Sequence, residues 1–147
     1  MKISGPAYKY LTTMGWSESR RVDSTQAISA LEDDGYRLFP AAHEFLASLS
    51  GLEGDMPSFR SGGTERIHFK PDSAILNIYR ERVETYEQRV GESLVVIGEA
   101  NNGHMVLLLS ETGRMFGGND DFLCELGSSM ADGLRSLFEG REGIEVA

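Results

Sequence analysis

The sequence predicts an α+β domain built from short helices, a three-stranded antiparallel meander and a final helix. Three observations predict this class: short amphipathic segments with helical spacing lie in the first ninety residues, glycine turns separate apolar strands after residue 93, and another amphipathic segment covers residues 128–138. The 147 residues are 40% hydrophobic and 25% charged. A single domain over residues 1–147 is expected.

Three short helices are predicted before residue 50. Residues 6–14 form the first, which stops at Gly15. The second starts at Ser24 or Thr25, places Ala27, Ile28 and Leu31 on one face, and ends at Gly35. Residues 41–49 form the third, and residues 20–22 are predicted to be a short extended piece.

The middle of the chain predicts a loop, a strand and a long helix. Pro57 and the pair Gly62-Gly63 indicate that residues 53–63 are a loop. Residues 67–69 alternate as in a strand. Asp72 or Ser73 can then cap a single helix that ends at Gly91. Its apolar stripe consists of Ile75, Tyr79, Val83, Tyr86 and Val90.

The clearest local pattern is a three-stranded antiparallel meander near the C-terminus. Residues 93–98 form its first strand, and Asn102-Gly103 predicts a tight type I′ turn because both central residues need positive φ. Residues 105–109 return, Thr112-Gly113 turns again, and residues 114–116 begin the third strand. The second strand lacks alternation, so it is predicted to be central and covered on both faces.

Charge and cysteine content restrict the compartment and the partners. The net charge is −9, and residues 91–147 hold three Lys/Arg and ten Asp/Glu, a net of −7. Such a surface is a poor partner for nucleic acid and a better one for a basic protein, although solubility alone also explains it. One cysteine, no apolar run after Lys2 and no long apolar stretch predict a cytoplasmic protein with no membrane segment.

The residues that carry chemistry do not form a recognisable catalytic or metal motif. His43, His68 and His104 lack metal-ligand spacing, and Cys124 lies among apolar residues that suggest burial. Residues 117–121 are predicted to be an acidic turn, because they lack the ligand pattern of a calcium loop and the lysine of a phosphate loop. No catalytic residue, cofactor or metal is therefore predicted.

A series of glycines and apolar residues resembles a known family over roughly residues 8–140. In order, it comprises Gly15-Trp16, Arg20-Arg21-Val22-Asp23, Gly35, Phe45-Leu46, Gly51-Leu52, Gly91, Leu94, Ile97-Gly98-Glu99, Gly113-Arg114-Met115-Phe116 and Leu126-Gly127. This order resembles the third subfamily of the SUKH superfamily.

The resemblance implies a single SUKH-like domain with its core at about residues 8–140, and an α+β fold with a central, mostly antiparallel sheet flanked by helices. It also implies a bacterial immunity protein that neutralises a domain of a polymorphic toxin. Typical partners in the superfamily are nucleases and nucleic-acid deaminases, and no catalytic residues accompany the family. The shared residues are interpreted as structural: Gly15, Trp16, Arg20, Gly98, Gly113 and Arg114.

The resemblance and the acidic last third together predict an acidic docking surface. A toxin that acts on nucleic acid needs a basic active-site surface, which an acidic inhibitor can occlude. The predicted contacts are Glu99, Glu111, Asp120, Asp121 and Glu125. Two alternatives stay open: a regulatory module for a housekeeping protein, and an enzyme that uses Glu99 or His104. The sequence leaves the oligomeric state open.

Overall fold

A computed structural model describes residues 2–147, which form six α-helices and one seven-stranded sheet. The predicted α+β class is therefore confirmed. No helix in this range combines the length and apolar character needed to cross a bilayer. The helices are α1 (Gly5–Met14), α2 (Thr25–Asp33), α3 (Pro40–Leu49), α4 (Pro71–Ala74), α5 (Arg80–Val90) and α6 (Met130–Glu139). The strands are β1 (Glu53–Pro57), β2 (Thr64–His68), β3 (Leu94–Ala100), β4 (Met105–Ser110), β5 (Met115–Asn119), β6 (Phe122–Gly127) and β7 (Ile144–Glu145).

The sheet is a continuous antiparallel meander in which each strand pairs with its neighbours in sequence, from β1 to β7. The predicted three-stranded meander corresponds to β3, β4 and β5, so that prediction is confirmed. The sheet is wider than predicted, because β1 and β2 extend it on one side and β6 and β7 on the other.

Helices cover both faces of the sheet around β4 and β5. On β5, Met115 contacts Gly133 of α6, whereas Gly118 lies against the ring of Tyr86 of α5. Odd and even residues of a strand point to opposite faces, so α6 and α5 lie on opposite sides of the sheet. Leu107 and Leu108 of β4 are both 0% exposed. The prediction that β4 is central and covered on both faces is confirmed.

The N-terminal helices are held together by two of the residues interpreted as structural. The indole of Trp16 is buried and donates a hydrogen bond to the hydroxyl of Ser48, at 3.0 Å. The guanidinium of Arg20 donates to the carbonyls of Ser48 and Ser50, at 2.6 and 2.8 Å. These bonds satisfy the last turn of α3. Residues 20–22 belong to no helix or strand, and the backbone N–H of Val22 donates to the carbonyl of Ala47 in α3.

The predicted loop over residues 53–63 is wrong for its first half, which forms β1. The strand reads Glu-Gly-Asp-Met-Pro, and Met56 is its one buried residue. The sequence therefore lacks the alternation of apolar and polar residues that indicates a strand. The segment becomes a strand because it pairs with β2, with Glu53 opposite His68 and Pro57 opposite Thr64. Proline is tolerated here because β1 is an edge strand.

The predicted single helix from residue 72 to residue 90 is also wrong. The chain forms α4 and a 3-10 turn at Ile75–Asn77, and then Ile78 and Tyr79 are extended, with ψ angles of 134° and 146°. Helix α5 begins only at Arg80. Val83 and Tyr86 are buried as the stripe predicted, but Tyr79 is 82% exposed.

The predicted acidic turn over residues 117–121 is shorter than expected, because β5 continues to Asn119. Gly117 and Gly118 are strand residues, and their missing side chains leave room for Met105 on one face and Tyr86 on the other. The turn consists of Asp120 and Asp121, with Asp120 in the left-handed region at φ 50°. Cys124 lies on β6 and is buried as predicted, and this burial raises the pKa of its thiol.

The turn between β3 and β4 provides a direct test of the backbone. It is a wider turn than predicted, since Asn101, Asn102 and Gly103 have φ angles of 54°, 56° and 88°. We expect Gly103→Val to lower the free energy of unfolding by about 1–3 kcal/mol, because a β-branched residue is strained at positive φ. Urea denaturation measures this change. Gly103→Asn is the control and should cost less, since asparagine tolerates this region best among residues with side chains. Equal costs for the two variants would contradict the strain argument.

Candidate protein-binding surface

The five acidic residues predicted to contact a partner do not lie on one surface. Glu111 forms an ion pair with Arg37 at 3.6 Å, and Glu125 forms one with Arg114 at 2.8 Å. Asp121 is paired with Arg82 of α5, at 2.9 Å. Their roles as partner contacts stay a prediction, but their geometry separates them into different parts of the fold.

Most carboxylates of the acidic last third have an arginine partner. Six of its ten carboxylates lie within 4.0 Å of an arginine nitrogen, and two of those arginines, Arg37 and Arg82, come from earlier in the chain. The net of −7 already includes Arg114, Arg135 and Arg141, so only Arg37 and Arg82 bring further positive charge to these carboxylates. The six paired residues are Glu92, Glu111, Asp121, Glu125, Asp132 and Glu139.

Glu99 faces the interior and holds a neighbouring segment in place. Glu99 is only 6% exposed. One carboxylate oxygen lies 2.9 Å from Nε2 of His68, and Asn77 donates its amide to both oxygens, at 3.3 and 3.1 Å. The backbone N–H of Lys70 donates to Nδ1 of His68, so Nε2 carries the ring hydrogen and donates to Glu99. The buried carboxylate thus joins β3 to the segment between α4 and α5.

That segment, Ile75 to Tyr79, exposes two large apolar side chains. Leu76 is 83% exposed and Tyr79 82%, the highest values among the large hydrophobic residues in the described range. Between them the amide of Asn77, itself an exposed residue, bonds the buried Glu99, while Ile75 and Ile78 pack partly against the core. We call Leu76, Tyr79 and the two grooves beside them the 75–79 surface.

Carboxylates line both grooves of the 75–79 surface. The first groove contains Asp33 and Asp34, at the end of α2, and Glu81. The second contains Asp120 and Glu99, together with His104. Two of the five predicted contacts therefore lie beside this surface, although the buried Glu99 supports it from below.

The arginines near the grooves are engaged in contacts within the protein. Arg80 places its guanidinium 4.5 Å from the ring centre of Tyr36 and donates to Glu87 at 3.0 Å. Arg82 is held by Asp121. Asp33, Asp34 and Glu81 in the first groove and Asp120 in the second have no ion pair with a described residue of the chain, so both grooves keep negative charge.

The sequence did not indicate that Leu76 and Tyr79 are exposed anchors. Tyr79 falls on the apolar stripe of the predicted helix, which favours burial. Leu76 falls off that stripe, and this mismatch is the only sign of exposure in the sequence. The bond between Asn77 and Glu99 joins residues far apart in sequence, so no local pattern reveals it.

The two groups of the enzyme alternative, Glu99 and His104, are bonded within the fold. His104 bonds the carbonyl of Asn101 through Nδ1, at 2.9 Å, and Cys124 is buried in β6. Within residues 2–147, no group of three or more His, Cys, Asp or Glu side chains is placed to hold a metal ion. The site best formed by this chain is a protruding apolar pair beside acidic grooves, which suits protein binding.

Comparison with known proteins identifies the family. The family model of the SUKH-3 immunity proteins matches residues 4–140, which include every helix and all strands except β7. Comparisons with curated proteins and with solved structures gave no match. The resemblance in the order of glycines and apolar residues is thus confirmed by an independent match over nearly the whole chain. The chain belongs to the SUKH-3 immunity protein family.

Proposed function

We propose that this chain is an immunity protein that binds a cognate toxin domain and neutralises it. The observation that carries the proposal is the match to the SUKH-3 immunity proteins over residues 4–140. The protein acts by occupying a surface of the toxin and not by a reaction of its own. This agrees with a site that offers apolar and acidic side chains without a paired nucleophile and base.

The toxin class follows from charge complementarity. The chain carries a net charge of −9, and the grooves of the 75–79 surface keep unpaired carboxylates. A nuclease or a nucleic-acid deaminase presents clustered Lys and Arg to its substrate. An acidic protein seated on those residues competes with the nucleic acid for them, so binding and inhibition are one event.

The test uses the toxin domain encoded in the reading frame next to this gene. We expect the purified chain to form a complex with that domain and to abolish its activity on nucleic acid at one equivalent. Co-expression should restore growth of a strain poisoned by the domain. Isothermal titration calorimetry gives the stoichiometry, and a nucleic-acid cleavage or deamination assay gives the inhibition.

Two outcomes would reject the proposal. A toxin domain that neither binds the chain nor loses activity in its presence excludes neutralisation by this protein. Tight binding to a housekeeping protein, with full toxin activity retained, would favour the regulatory alternative. Binding with inhibition, by contrast, supports the immunity function directly.

A further inference from the structure

We infer that the 75–79 surface is where the toxin docks, and that it receives a cationic surface with an apolar recess. This inference rests on the proposed function and adds the surface and the chemistry of the partner. Leu76 and Tyr79 supply the apolar anchors, and Asp33, Asp34, Glu81 and Asp120 supply the negative charge around them.

Leu76 and Tyr79 are well suited to anchor a partner protein. Single exposed hydrophobic residues are common on protein surfaces, but Leu76 and Tyr79 stand three positions apart in one segment and are almost fully exposed. Tyrosine is among the residues that contribute most binding energy at interfaces, because its large ring has few rotatable bonds. The apolar surface of both side chains is removed from water only when a partner covers it.

The segment that carries the pair is held in one shape before binding. Asn77 is bonded to the buried Glu99, and Ile75 and Ile78 pack against the core on either side of it. Helix α4 precedes the segment and α5 follows it directly. Because the backbone is already ordered, a partner gains the contacts with Leu76 and Tyr79 at a small cost in conformational entropy.

Charge around the pair selects the partner. In the first groove Asp33, Asp34 and Glu81 outnumber the single cation Arg80, which is engaged with Tyr36 and Glu87. In the second groove Asp120 points into solvent at a turn. Lysine and arginine side chains are therefore the matching groups, since like charges opposite these carboxylates cost free energy.

A second exposed apolar region lies on the opposite face of the sheet and is less suited to this role. Phe122 is the first residue of β6, and Phe59 comes from the β1–β2 loop and lies against Gly140. The cavity between them holds Arg60 and Arg141 together with glutamates, so it has no single sign of charge. Ile144, on the edge strand β7, lines neither groove of the 75–79 surface and provides the matched control.

The experiment compares surface-plasmon-resonance kinetics of variants with the toxin domain used above, immobilised in a catalytically inactive form. We expect the double variant Leu76→Ser/Tyr79→Ser to weaken the affinity by about 100-fold, mainly through faster dissociation. Ile144→Ser is the control, because Ile144 is 76% exposed but lies at the far edge of the sheet. It should bind like the wild-type chain. Circular dichroism melts should be alike for all three proteins.

A second pair of variants tests the charge of the partner. Asp33→Asn/Glu81→Gln should slow association roughly threefold or more and should reduce its dependence on salt. The control Glu142→Gln removes a charge near the C-terminus and should leave association unchanged.

The outcomes separate this inference from the proposed function. If the wild-type chain binds and inhibits the toxin but Leu76→Ser/Tyr79→Ser binds equally well, the docking surface is wrong and the immunity function stands. If Ile144→Ser loses affinity instead, the β7 edge of the sheet is the interface. If association of Asp33→Asn/Glu81→Gln keeps the rate and salt dependence of the wild type, the cationic partner surface is wrong. If the wild-type chain does not bind the toxin at all, the proposed function itself fails.

Discussion

Replacement of Gly98 by alanine is expected to lower the free energy of unfolding by about 3 kcal/mol or more. A Cβ atom at this position would lie 2.1 Å from the carbonyl oxygen of His68 and 3.0 Å from Cα of Phe69. These are backbone atoms, so they cannot move aside as a side chain can. Strand β2 would have to shift from β3, which also disturbs the bond of His68 to Glu99. Urea denaturation measures the loss of stability.

Gly117→Ala is the matched control for this prediction. Its Cβ atom would lie 2.6 Å from Sδ of Met105, a flexible side chain that can adopt another rotamer. We expect a cost of about 1 kcal/mol. Costs of the same size at both positions would show that close approach of the backbone is not the reason for glycine at position 98.

Replacement of Arg114 by methionine is expected to cost about 2–3 kcal/mol at pH 7. The guanidinium lies 2.7 Å from Glu92 and 2.8 Å from Glu125, and it stacks over Phe116 with 4.9 Å to the ring centre. Removal leaves two largely buried carboxylates without their cation, which is costly in protein interiors. Part of the arginine is solvent-accessible, so the cost is below that of a fully buried pair.

The loss caused by Arg114→Met should shrink in acid. Burial by itself raises the pKa of Glu92, but hydrogen bonds from Thr112 and Arg114 outweigh it, and the folded pKa lies below the usual value. Such a group stabilises the fold above the unfolded pKa of about 4.3 and loses this contribution as pH falls through the folded pKa. Arg114→Met lacks the hydrogen bond from Arg114 to Glu92, so it has less of this pH-dependent stability to lose. Its difference from the wild type should therefore narrow in urea melts at pH 3–4.

An exposed ion pair provides the control for the arginine prediction. Arg135 on α6 lies 3.5 Å from Glu139, and 42% of the Arg135 side chain is exposed. Arg135→Met should change the stability by no more than about 0.5 kcal/mol. If both arginine variants lose the same stability, burial of the Arg114 pair does not explain its importance.

These two large effects concern residues that the sequence already indicated as structural. Gly98 and Arg114 belong to the ordered series of residues that resembles the SUKH family, and the structure shows what each contacts. Trp16 and Arg20 are similar, since both bind the last turn of α3. The physical role of each residue still required the fold, because all four act on partners distant in sequence.

Predictions from the sequence succeeded where the determining interactions are local. The strands β3 and β4 follow from apolar runs joined by a turn that contains Asn102 and Gly103. The prediction failed for β1, whose residues are mostly polar and become a strand only by pairing with β2. It also failed at Ile78 and Tyr79, which match the helical spacing of their neighbours. There the bond between Asn77 and Glu99 accompanies the break in the helix.

The sequence by itself determined the α+β class, the antiparallel meander and the family, because helix periodicity, turn residues and the order of glycines are visible over short stretches. Only the tertiary structure decided which carboxylates remain free and which apolar side chains remain exposed. Arg82 neutralises Asp121 from another element, and Leu76 and Tyr79 are turned outward by a segment anchored on Glu99. Ion pairing and burial depend on distances in space, and the linear sequence does not contain those distances until the chain is folded.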